Sequence, residues 1–369
     1  MIVLFLFIII LLLLIYSKID YYSNKEDFVS YTKCKNKKLK KIKKEIYSKY
    51  SIDYKKYGGN NWDIYLPCGY NNIENELKKI KVSNNKQVIF GISGCDKIIS
   101  KNSLWSLIEN YYGRNEAKNI MPESFVLNNQ SNRELFKSSF SPNKTYIIKK
   151  NLQRKKGIKL SNNLNEILNV DKDYKVVQEF ISDSYIINKR VLNLRIYLMI
   201  SCKNNEVKFY LHKLGKCLYA AKDINKNLLD FDSRITNSYK TEKNIYDNNP
   251  LTLNELKEYL NNKKQNSGTY LFNNIEALFK KLCTCIKGNI YNSSNLVNNM
   301  TVQMFGVDVL FDNNMKPYIL EINKGPDMVP KDNKDKKIKY KVELDMLEKF
   351  DLVEINDLRF TNGFNFFNL

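Results

Sequence analysis

Two apolar segments near the C-terminus carry oxygen-bearing side chains where apolar residues are expected. Residues 304–311 and residues 316–323 are separated by a short polar turn, a pattern that predicts an antiparallel β-hairpin. Glu321 and Asn323 are two residues apart and point to one face of their strand, and Asp308 on the partner strand can reach that face. Three such oxygen donors suit a magnesium ion that bridges nucleotide phosphates. A solvated strand face is the alternative, but the apolar neighbours leave little room for one.

Three further segments carry residues that could meet a nucleotide. Lys149 ends an apolar strand and leads into a polar loop that closes on Lys156 and Gly157, so its ammonium could neutralise phosphates. Arg195 lies inside an apolar strand, where a buried arginine needs a phosphate or a carboxylate as its partner. Residues 178–181 suit a hinge whose main chain reads an adenine edge while apolar side chains hold the ring. For each segment alone, an ordinary strand or a structural ion pair explains the residues at least as well.

Strands and helices must position these residues, and the spacing of apolar residues predicts where they lie. Strands are predicted at residues 146–149, 176–181, 194–200 and 207–211. Helices are predicted at residues 104–112, 115–120, 253–260 and 271–286. The first helix ends at Gly113, a suitable C-cap, and the hairpin follows the last helix.

The composition points to an acidic partner without settling its kind. With 369 residues and 43% hydrophobic residues, the chain can bury a large core. Its formal net charge of +21 favours a nucleic acid, an anionic membrane surface or an acidic polypeptide as partner. Lysine, asparagine, isoleucine and tyrosine are abundant throughout, so a bias in coding composition explains the charge about as well.

Cysteine and histidine usage excludes several kinds of site. The seven cysteines are odd in number and scattered, which indicates reduced thiols and gives no zinc-type spacing. His212 is the one histidine of the chain, so a catalytic histidine pair and a histidine-rich metal site are excluded.

The beginning of the chain reads as a membrane segment. Residues 1–16 are almost wholly apolar and uncharged, and they lack the basic start and the small-residue cleavage site of a signal peptide. The lysines that follow place the rest of the chain in the cytosol by the positive-inside rule. We therefore predict a membrane anchor at 1–17, a basic stalk at 18–50, a small N-terminal domain at 51–100, a main domain at 101–345 and a C-terminal tail at 346–369.

Taken together, the segments from about residue 104 to about residue 330 resemble the tubulin tyrosine ligase-like family of ATP-grasp ligases. The matching segments are, in the family's order, 104–113, 117–125, 146–149, 156–158, 176–181, 194–197, 234–237, and 305–308 with 320–323. The resemblance implies an α+β protein with the ATP-grasp fold, in which two α/β subdomains sandwich ATP. A small N-terminal domain and an N-terminal transmembrane helix complete the predicted fold class.

The resemblance also implies ATP and Mg²⁺ as cofactors and assigns roles to residues of this chain. Asp308, Glu321 and Asn323 would hold the metal, and Arg195 would act in catalysis by neutralising the transferring phosphoryl group. The residues assigned to ATP are Lys149, Lys156, Gly157, Gln178, Glu179, Phe180 and Ile181. The candidates for substrate binding are Lys213, Lys216, Thr236 and Asn237.

The chain departs from the family pattern mainly on the substrate side. Residues 191–193 read Val-Leu-Asn where the family has Lys-aromatic-Asp, and Glu179 replaces the lysine of the hinge. The family's substrate-binding arginine is missing after the next strand, so either Lys213 or Lys216 substitutes for it or the function is lost.

Two functions are compatible with these residues. The first is an ATP-dependent amino-acid ligase that modifies a protein side chain or terminus through an acyl phosphate, as in the glutamylation, glycylation or tyrosination of tubulin. Its partners would be a free amino acid and tubulin or another glutamate-rich acidic protein. The second is a catalytically weakened ATP-grasp protein that tethers tubulin or another acidic partner to a membrane through residues 1–17. Nucleic acid is not expected as a partner, since no recognised binding module is present.

Overall fold

The computed structural model describes residues 28–56, 61–151, 157–236, 243–355, 357, 359–366 and 369. The strands are β1 (Val29–Thr32), β2 (Asp53–Lys56), β3 (Ile64–Tyr65), β4 (Val88–Phe90), β5 (Ser124–Val126), β6 (Tyr146–Lys150), β7 (Ile158–Ser161), β8 (Tyr174–Glu179), β9 (Ile186–Ile187), β10 (Arg190–Lys203), β11 (Glu206–Tyr219), β12 (Met300–Phe311), β13 (Pro317–Asn323) and β14 (Phe364–Phe366). The α-helices are α1 (Lys41–Lys49), α2 (Ile73–Leu77), α3 (Cys95–Ile99), α4 (Lys101–Tyr112), α5 (Arg114–Ile120), α6 (Gln130–Ser139), α7 (Leu164–Leu168), α8 (Phe231–Arg234), α9 (Leu253–Lys263), α10 (Ser267–Ile286) and α11 (Asn333–Glu348).

These strands form one large mixed sheet and one small antiparallel sheet. The large sheet has the order β14-β11-β10-β12-β4-β3-β1-β2, with β13 paired to β12 and β9 paired to β10. The small sheet has the order β5-β8-β6-β7. The candidate residues are thus divided between two sheets, with Lys149 and Gln178 on the small sheet and Arg195, Asp308 and Glu321 on the large one.

Strand β12 changes its partner halfway along its length, and this opens the large sheet. Its first residues, Met300 to Val302, pair in parallel with β4, whereas Gly306 to Phe311 pair antiparallel with β13. The C-terminal ends of β4 and β13 therefore face each other beside the middle of β12. Ligands of mixed and parallel sheets bind at such interruptions, because loops diverge there and leave a crevice.

The predicted β-hairpin and the first predicted helix are confirmed. Asp312 closes the hairpin turn, since its Oδ1 accepts the main-chain N–H groups of Asn314 and Lys316 at 2.9 Å each. Helix α4 ends at Gly113, whose φ of 76° suits glycine and whose N–H donates to the carbonyl of Glu109 at 2.8 Å.

Apolar side chains fill both faces of the large sheet. On one face, Trp105 of α4 and Phe279 of α10 are fully buried in a cluster with the strand residue Phe305. On the other face, α1 and α11 bury Ile46 and Val342 against the sheet. Burial of this kind contributes about 25 cal/mol for each Å² of apolar surface, so the sheet is held from both sides.

The membrane-anchored fold and localisation predicted from the sequence are corrected. In the part of the chain that the structure describes, no helix combines the length and the apolar character that a membrane span needs. The predicted anchor, residues 1–17, lies outside the described residues. The expectation of a transmembrane helix is therefore withdrawn from the fold class.

The start of the described chain is folded onto the large sheet. Strand β1, within the predicted stalk, pairs in parallel with both β2 and β3, and α1 buries Ile42 and Ile46. Because β3 and β4 also belong to the large sheet, the predicted stalk and small domain share its core. Cys34 and Cys68 form a disulfide, which corrects the expectation that every thiol is reduced.

Candidate functional site

A row of four charged residues crosses one face of the large sheet. Lys216 of β11 stands opposite Arg195 of β10. Asp308 of β12 lies on the other side of Arg195, and Glu321 of β13 stands opposite Asp308. Because residues opposite each other on neighbouring strands share a face, the four side chains form a line in which two cations are followed by two anions.

The centre of the charged row is a two-point ion pair. The guanidinium of Arg195 donates from Nε to Oδ1 of Asp308 at 2.5 Å and from Nη2 to Oδ2 at 3.1 Å. Burial alone would lower the pKa of Arg195, but the Asp308 carboxylate outweighs burial and raises it. Gly306 leaves room for this arginine, since a Cβ at that position would lie 3.0 Å from Cδ of Arg195. Arginine and aspartate thus satisfy each other until a ligand competes for one of them.

The anionic end of the row brings together the predicted metal ligands. The Asn323 amide donates to Oε1 of Glu321 at 3.3 Å, and the Lys101 ammonium lies 3.7 Å from Oε2 of Glu321. Burial alone would raise the pKa of Glu321, but the ammonium groups of Lys101 and Lys149 outweigh it and hold the pKa below its ordinary value. The carboxylate is therefore charged at neutral pH and available to a cation.

Lys149 approaches the row from the small sheet. Its ammonium is buried and donates to Oε1 of Gln178 at 2.5 Å, while the Gln178 amide donates to Oγ of Ser124 at 2.8 Å. Burial is the largest cause that lowers the pKa of Lys149 to about 8, and the Glu321 carboxylate acts in the opposite direction. A neutral amide is thus the hydrogen-bond partner of a buried lysine that faces the carboxylates of the large sheet.

Two main-chain N–H groups of the predicted hinge are bonded to protein. The N–H of Glu179 donates to the carbonyl of Glu123 at 2.8 Å, and the N–H of Phe180 donates to the carbonyl of Thr145 at 2.9 Å. Both donors are therefore occupied by protein groups in this structure. The Glu179 side chain is partly buried, and the Lys144 ammonium lies 2.9 Å from its Oε1.

A cavity of about 380 Å³ opens at the anionic end of the charged row. The residues that line it include Asn71, Lys101, Asn151, Glu321, Asn323 and Lys324. Lys324 is buried and donates to the main-chain carbonyl of Tyr70 at 2.8 Å. The cavity is therefore polar, and it holds two lysines beside one carboxylate.

The cationic end of the row is occupied by protein groups. The Lys216 ammonium donates to Oδ1 of the fully buried Asp335 at 2.9 Å, and the Lys339 ammonium lies 2.9 Å from Oδ2. Burial alone would raise the pKa of Asp335, but the two lysine hydrogen bonds outweigh it and lower the pKa. Lys216 is thus held in place by a carboxylate that serves two lysines.

The structure separates the two lysines predicted to bind substrate. Lys213 is exposed and lines a cavity together with Ile196, which points to the face opposite Arg195. Lys216 is the one of the two that belongs to the charged row. Lys213 therefore lies away from the other candidate residues.

Thr236 joins the same sheet face through the residue that replaces the family's aspartate. The Asn193 amide donates to Oγ1 of Thr236 at 3.0 Å, and Asn193 is two residues from Arg195 on β10. Gly157 has a φ of 73° and closes the loop against the side chain of Lys150. Lys156 and Asn237 lie outside the described residues.

Sequence reasoning missed Lys101, Lys324 and Asp335. Lys101 starts α4 and meets Glu321 far along the chain, so no local pattern marks it. Lys324 directly follows Asn323, and its place after a strand that carries ligands was a usable signal. Asp335 gave no signal, since its partner Lys216 comes from a distant strand.

The predicted metal ligands are oxygen donors only. Among the described residues, no group of three or more histidine, cysteine, aspartate or glutamate side chains could hold a metal ion. The predicted set has two carboxylates and one amide, all with hard oxygen donors of the kind Mg²⁺ prefers. These residues fit the ion once Asp308 exchanges its arginine for it.

The two sheets and the charged crevice between them define an ATP-grasp-like class of protein. The model of the tubulin-tyrosine ligase family matches residues 79–358, and the chain belongs to this family.

Curated relatives of the chain are enzymes that modify tubulin. The probable beta-tubulin polyglutamylase of Tetrahymena thermophila is 25% identical over 235 residues, 56% of this chain and 19% of the relative. Tubulin glycylase 3D of the same organism is 23% identical over 264 residues, 69% of this chain and 24% of the relative. The probable tubulin polyglutamylase ttll-9 of Caenorhabditis elegans is 23% identical over 276 residues, 67% of this chain and 64% of the relative. The chain thus spans less than two thirds of the length of each of these relatives.

Proposed function

We propose that the protein is an ATP-dependent ligase that attaches an amino acid to a side chain or terminus of an acidic protein. The observation that carries the proposal is the charged row of the large sheet, which Lys149 faces from the small sheet. Family membership supports ATP as the energy source. The names of the relatives support tubulin, or another glutamate-rich protein, as the acceptor.

The charged row and Lys149 can bind the nucleotide phosphates. Asp308, Glu321 and Asn323 would hold Mg²⁺, which when bound supplies positive charge to the phosphate oxygens. Arg195 would then turn from Asp308 to the phosphoryl group. Lys149, held by a neutral amide and not by a carboxylate, keeps its charge available for the phosphates.

The proposed ligation has two steps, phosphoryl transfer and amide formation. A carboxylate oxygen attacks the γ-phosphorus of ATP, an O–P bond forms, and the bond to the bridging oxygen breaks to release ADP. The amine nitrogen then attacks the acyl carbon, a C–N bond forms, and the C–O bond breaks to release phosphate while the nitrogen loses a proton. Arg195 and Lys149 neutralise the charge that spreads over the transferring group, which is the main protein contribution to phosphoryl transfer.

Lys216 is the main candidate for binding the acidic acceptor. The formal net charge of +21 favours an acidic acceptor, and Lys216 and Thr236 stand beside Arg195 and Asn193 on the same face. Lys213, which lies away from this face, is proposed only for the outer part of an acceptor chain.

A direct experiment can test the ligase proposal. The full chain is incubated with ATP, Mg²⁺, tubulin and radiolabelled glutamate, glycine or tyrosine in separate reactions. We expect ATP-dependent incorporation of one amino acid, and we expect Glu321→Gln to slow it about a hundredfold. Incorporation of none, with tubulin bound equally by the parent and Glu321→Gln, would contradict the proposal.

A catalytically weakened binding protein is the second candidate. It is favoured by Asn193, which replaces a carboxylate of the family pattern, and by the closed pair of Arg195 and Asp308. This candidate predicts ATP and acidic-protein binding without turnover, so the same incorporation experiment separates the two.

A further inference from the structure

A further cavity, of about 250 Å³, lies on the same sheet face as the charged row. Met304 lines this cavity, and Met304, Gly306 and Asp308 alternate along β12, so all three share one face. Pro326 also lines it and packs over Gly306, since a Cβ at Gly306 would lie 3.1 Å from Cβ of Pro326. Four residues of strand rise about 13 Å, so the cavity is a close neighbour of the candidate site.

The cavity contains a largely buried pair of opposite charges. The Lys43 ammonium of α1 contacts Oε1 of Glu343 on α11, and the two side chains are only 18% and 4% exposed. Burial would lower the pKa of Lys43, but Glu343 outweighs burial and raises it. An ammonium has three donors, and Glu343 is the one ion-pair partner of Lys43 among the described residues, while Lys43 also lies 5.1 Å from the centroid of the Phe90 ring. Both charges therefore have bonding capacity left for a ligand.

The surroundings of this pair carry an excess of positive charge. Lys37, Lys38, Lys40 and Lys43 all line this cavity, and Glu343 is the one carboxylate among its lining residues. Burial, and next the nearby Lys43 ammonium, lowers the pKa of Lys37 to about 8. A ligand with net negative charge would relieve this repulsion.

The walls of the cavity are apolar and adaptable. They include Phe90, Met304, Met328 and Met346. Thioether side chains adjust to irregular shapes and suit a short methylene stem. At about 30 Å³ for each water, the volume accommodates about eight waters, comparable with a solute of about ten non-hydrogen atoms.

We infer that this cavity binds the free amino-acid substrate, and that the substrate is an acidic amino acid. The inference rests on the proposed function. The α-carboxylate would pair with Lys43, the α-ammonium with Glu343, and the side-chain carboxylate with a lysine at the rim. A bound amino acid would then lie beside Gly306 and Pro326, next to the position where the phosphoryl group is transferred.

Binding without turnover tests the inference separately from ligase activity. Titration calorimetry of the full chain is carried out with glutamate, aspartate, glycine, tyrosine, glutarate and an acidic peptide, and ATP binding is measured in parallel. We expect glutamate or aspartate to bind at least tenfold more tightly than glycine or tyrosine. We also expect glutarate, which lacks the ammonium group, to bind at least tenfold more weakly than glutamate.

Substitutions in the cavity test whether glutamate binds there. Replacing one member of the ion pair leaves a buried charge, so the informative variant is Lys43→Met with Glu343→Met, which removes both charges together and retains packing. We expect this double variant to lose glutamate binding at least tenfold while its melting temperature and ATP affinity stay near those of the parent. The matched control is Lys44→Met, an exposed neighbour on the same helix, with unchanged glutamate affinity.

Three results would overturn the inference. They are equal binding of glutamate by the double variant, equal binding of acidic and neutral amino acids, and binding of the acidic peptide without binding of any free amino acid. Because ATP affinity is measured independently, a loss of ATP binding would count against the proposed function and not against this cavity.

Discussion

The two ends of the charged row differ in how firmly their charges are held. At the β13 end, Glu321 meets Lys101 at 3.7 Å and the Asn323 amide at 3.3 Å, contacts that are long for charged partners. At the β11 end, the fully buried Asp335 holds Lys216 and Lys339 at 2.9 Å each. The β13 end can exchange its partners for a ligand, whereas the β11 end is fixed. The same row thus provides a region that can exchange partners at its β13 end and a lysine held in a fixed position at its β11 end.

Breaking the β11 end should have the largest effect on stability. Asp335→Asn leaves two buried ammonium groups without a countercharge, and loss of one partner of a buried ion pair costs about 3–5 kcal/mol. We expect the free energy of unfolding, measured by urea denaturation, to fall by that amount. Asp332→Asn at the N-cap of the same helix is the control, since asparagine caps as well as aspartate. A loss below about 1 kcal/mol for Asp335→Asn would show that Lys216 is not fixed by this carboxylate.

A substitution of Glu321 at the β13 end should affect the reaction rate more than the stability of the fold. Glu321→Gln removes one negative charge from the proposed metal site, and loss of one preorganised electrostatic group typically costs about a hundredfold in rate. We expect the incorporation rate to fall by about that factor, with the melting temperature near that of the parent. Glu206→Gln, which changes an exposed glutamate, is the matched control and should leave the rate unchanged. Equal rates for the parent and Glu321→Gln would remove the β13 end from catalysis.

The role of Lys149 on the small sheet can be tested through the pH dependence of ATP affinity. Lys149 has a pKa of about 8 in the free protein, so its ammonium is present below pH 8 and lost above it. Because the charged form binds phosphate, ATP affinity should fall about tenfold from pH 7 to pH 9. Arginine keeps its charge over this range, so Lys149→Arg should give a flatter profile. Calorimetric titrations at both pH values check this, and parallel profiles for the two proteins would contradict it.

Removal of the ion pair between Lys144 and Glu179 at the predicted hinge should have the smallest effect on stability and ATP affinity. The Lys144 side chain is 49% exposed, and its ion pair with Glu179 is of the surface kind that contributes about 0.5 kcal/mol. Lys144→Gln should therefore change the unfolding free energy by no more than about that amount and leave ATP affinity within about twofold. A larger loss of ATP affinity would mean that the Glu179 side chain takes part in the site.

Local patterns in the sequence were sufficient to predict part of the fold and site. The hairpin of β12 and β13 was predictable because its apolar strands and polar turn are contiguous, and its alternation places Glu321 and Asn323 on one face. The end of α4 was predictable because Gly113 follows an amphipathic pattern. These features depend on spacing of a few residues.

Long-range register was beyond the reach of such patterns. The line from Lys216 through Arg195 to Asp308 depends on how three strands align, and no local signal sets that alignment. The same holds for Lys101, which meets Glu321 only when the chain is folded. A run of lysines also suggested a stalk, whereas periodic Ile42 and Ile46 bury one side of α1.

The most direct test of the central claim is the effect of Mg²⁺ on ATP binding. Calorimetry measures the affinity of the full chain for ATP with Mg²⁺ and with a chelator, for the parent and for Asp308→Asn combined with Glu321→Gln. We expect Mg²⁺ to raise the ATP affinity of the parent at least tenfold and to have little effect on the double variant. An equal gain from Mg²⁺ in both proteins would contradict the claim that the β13 end of the charged row holds the metal.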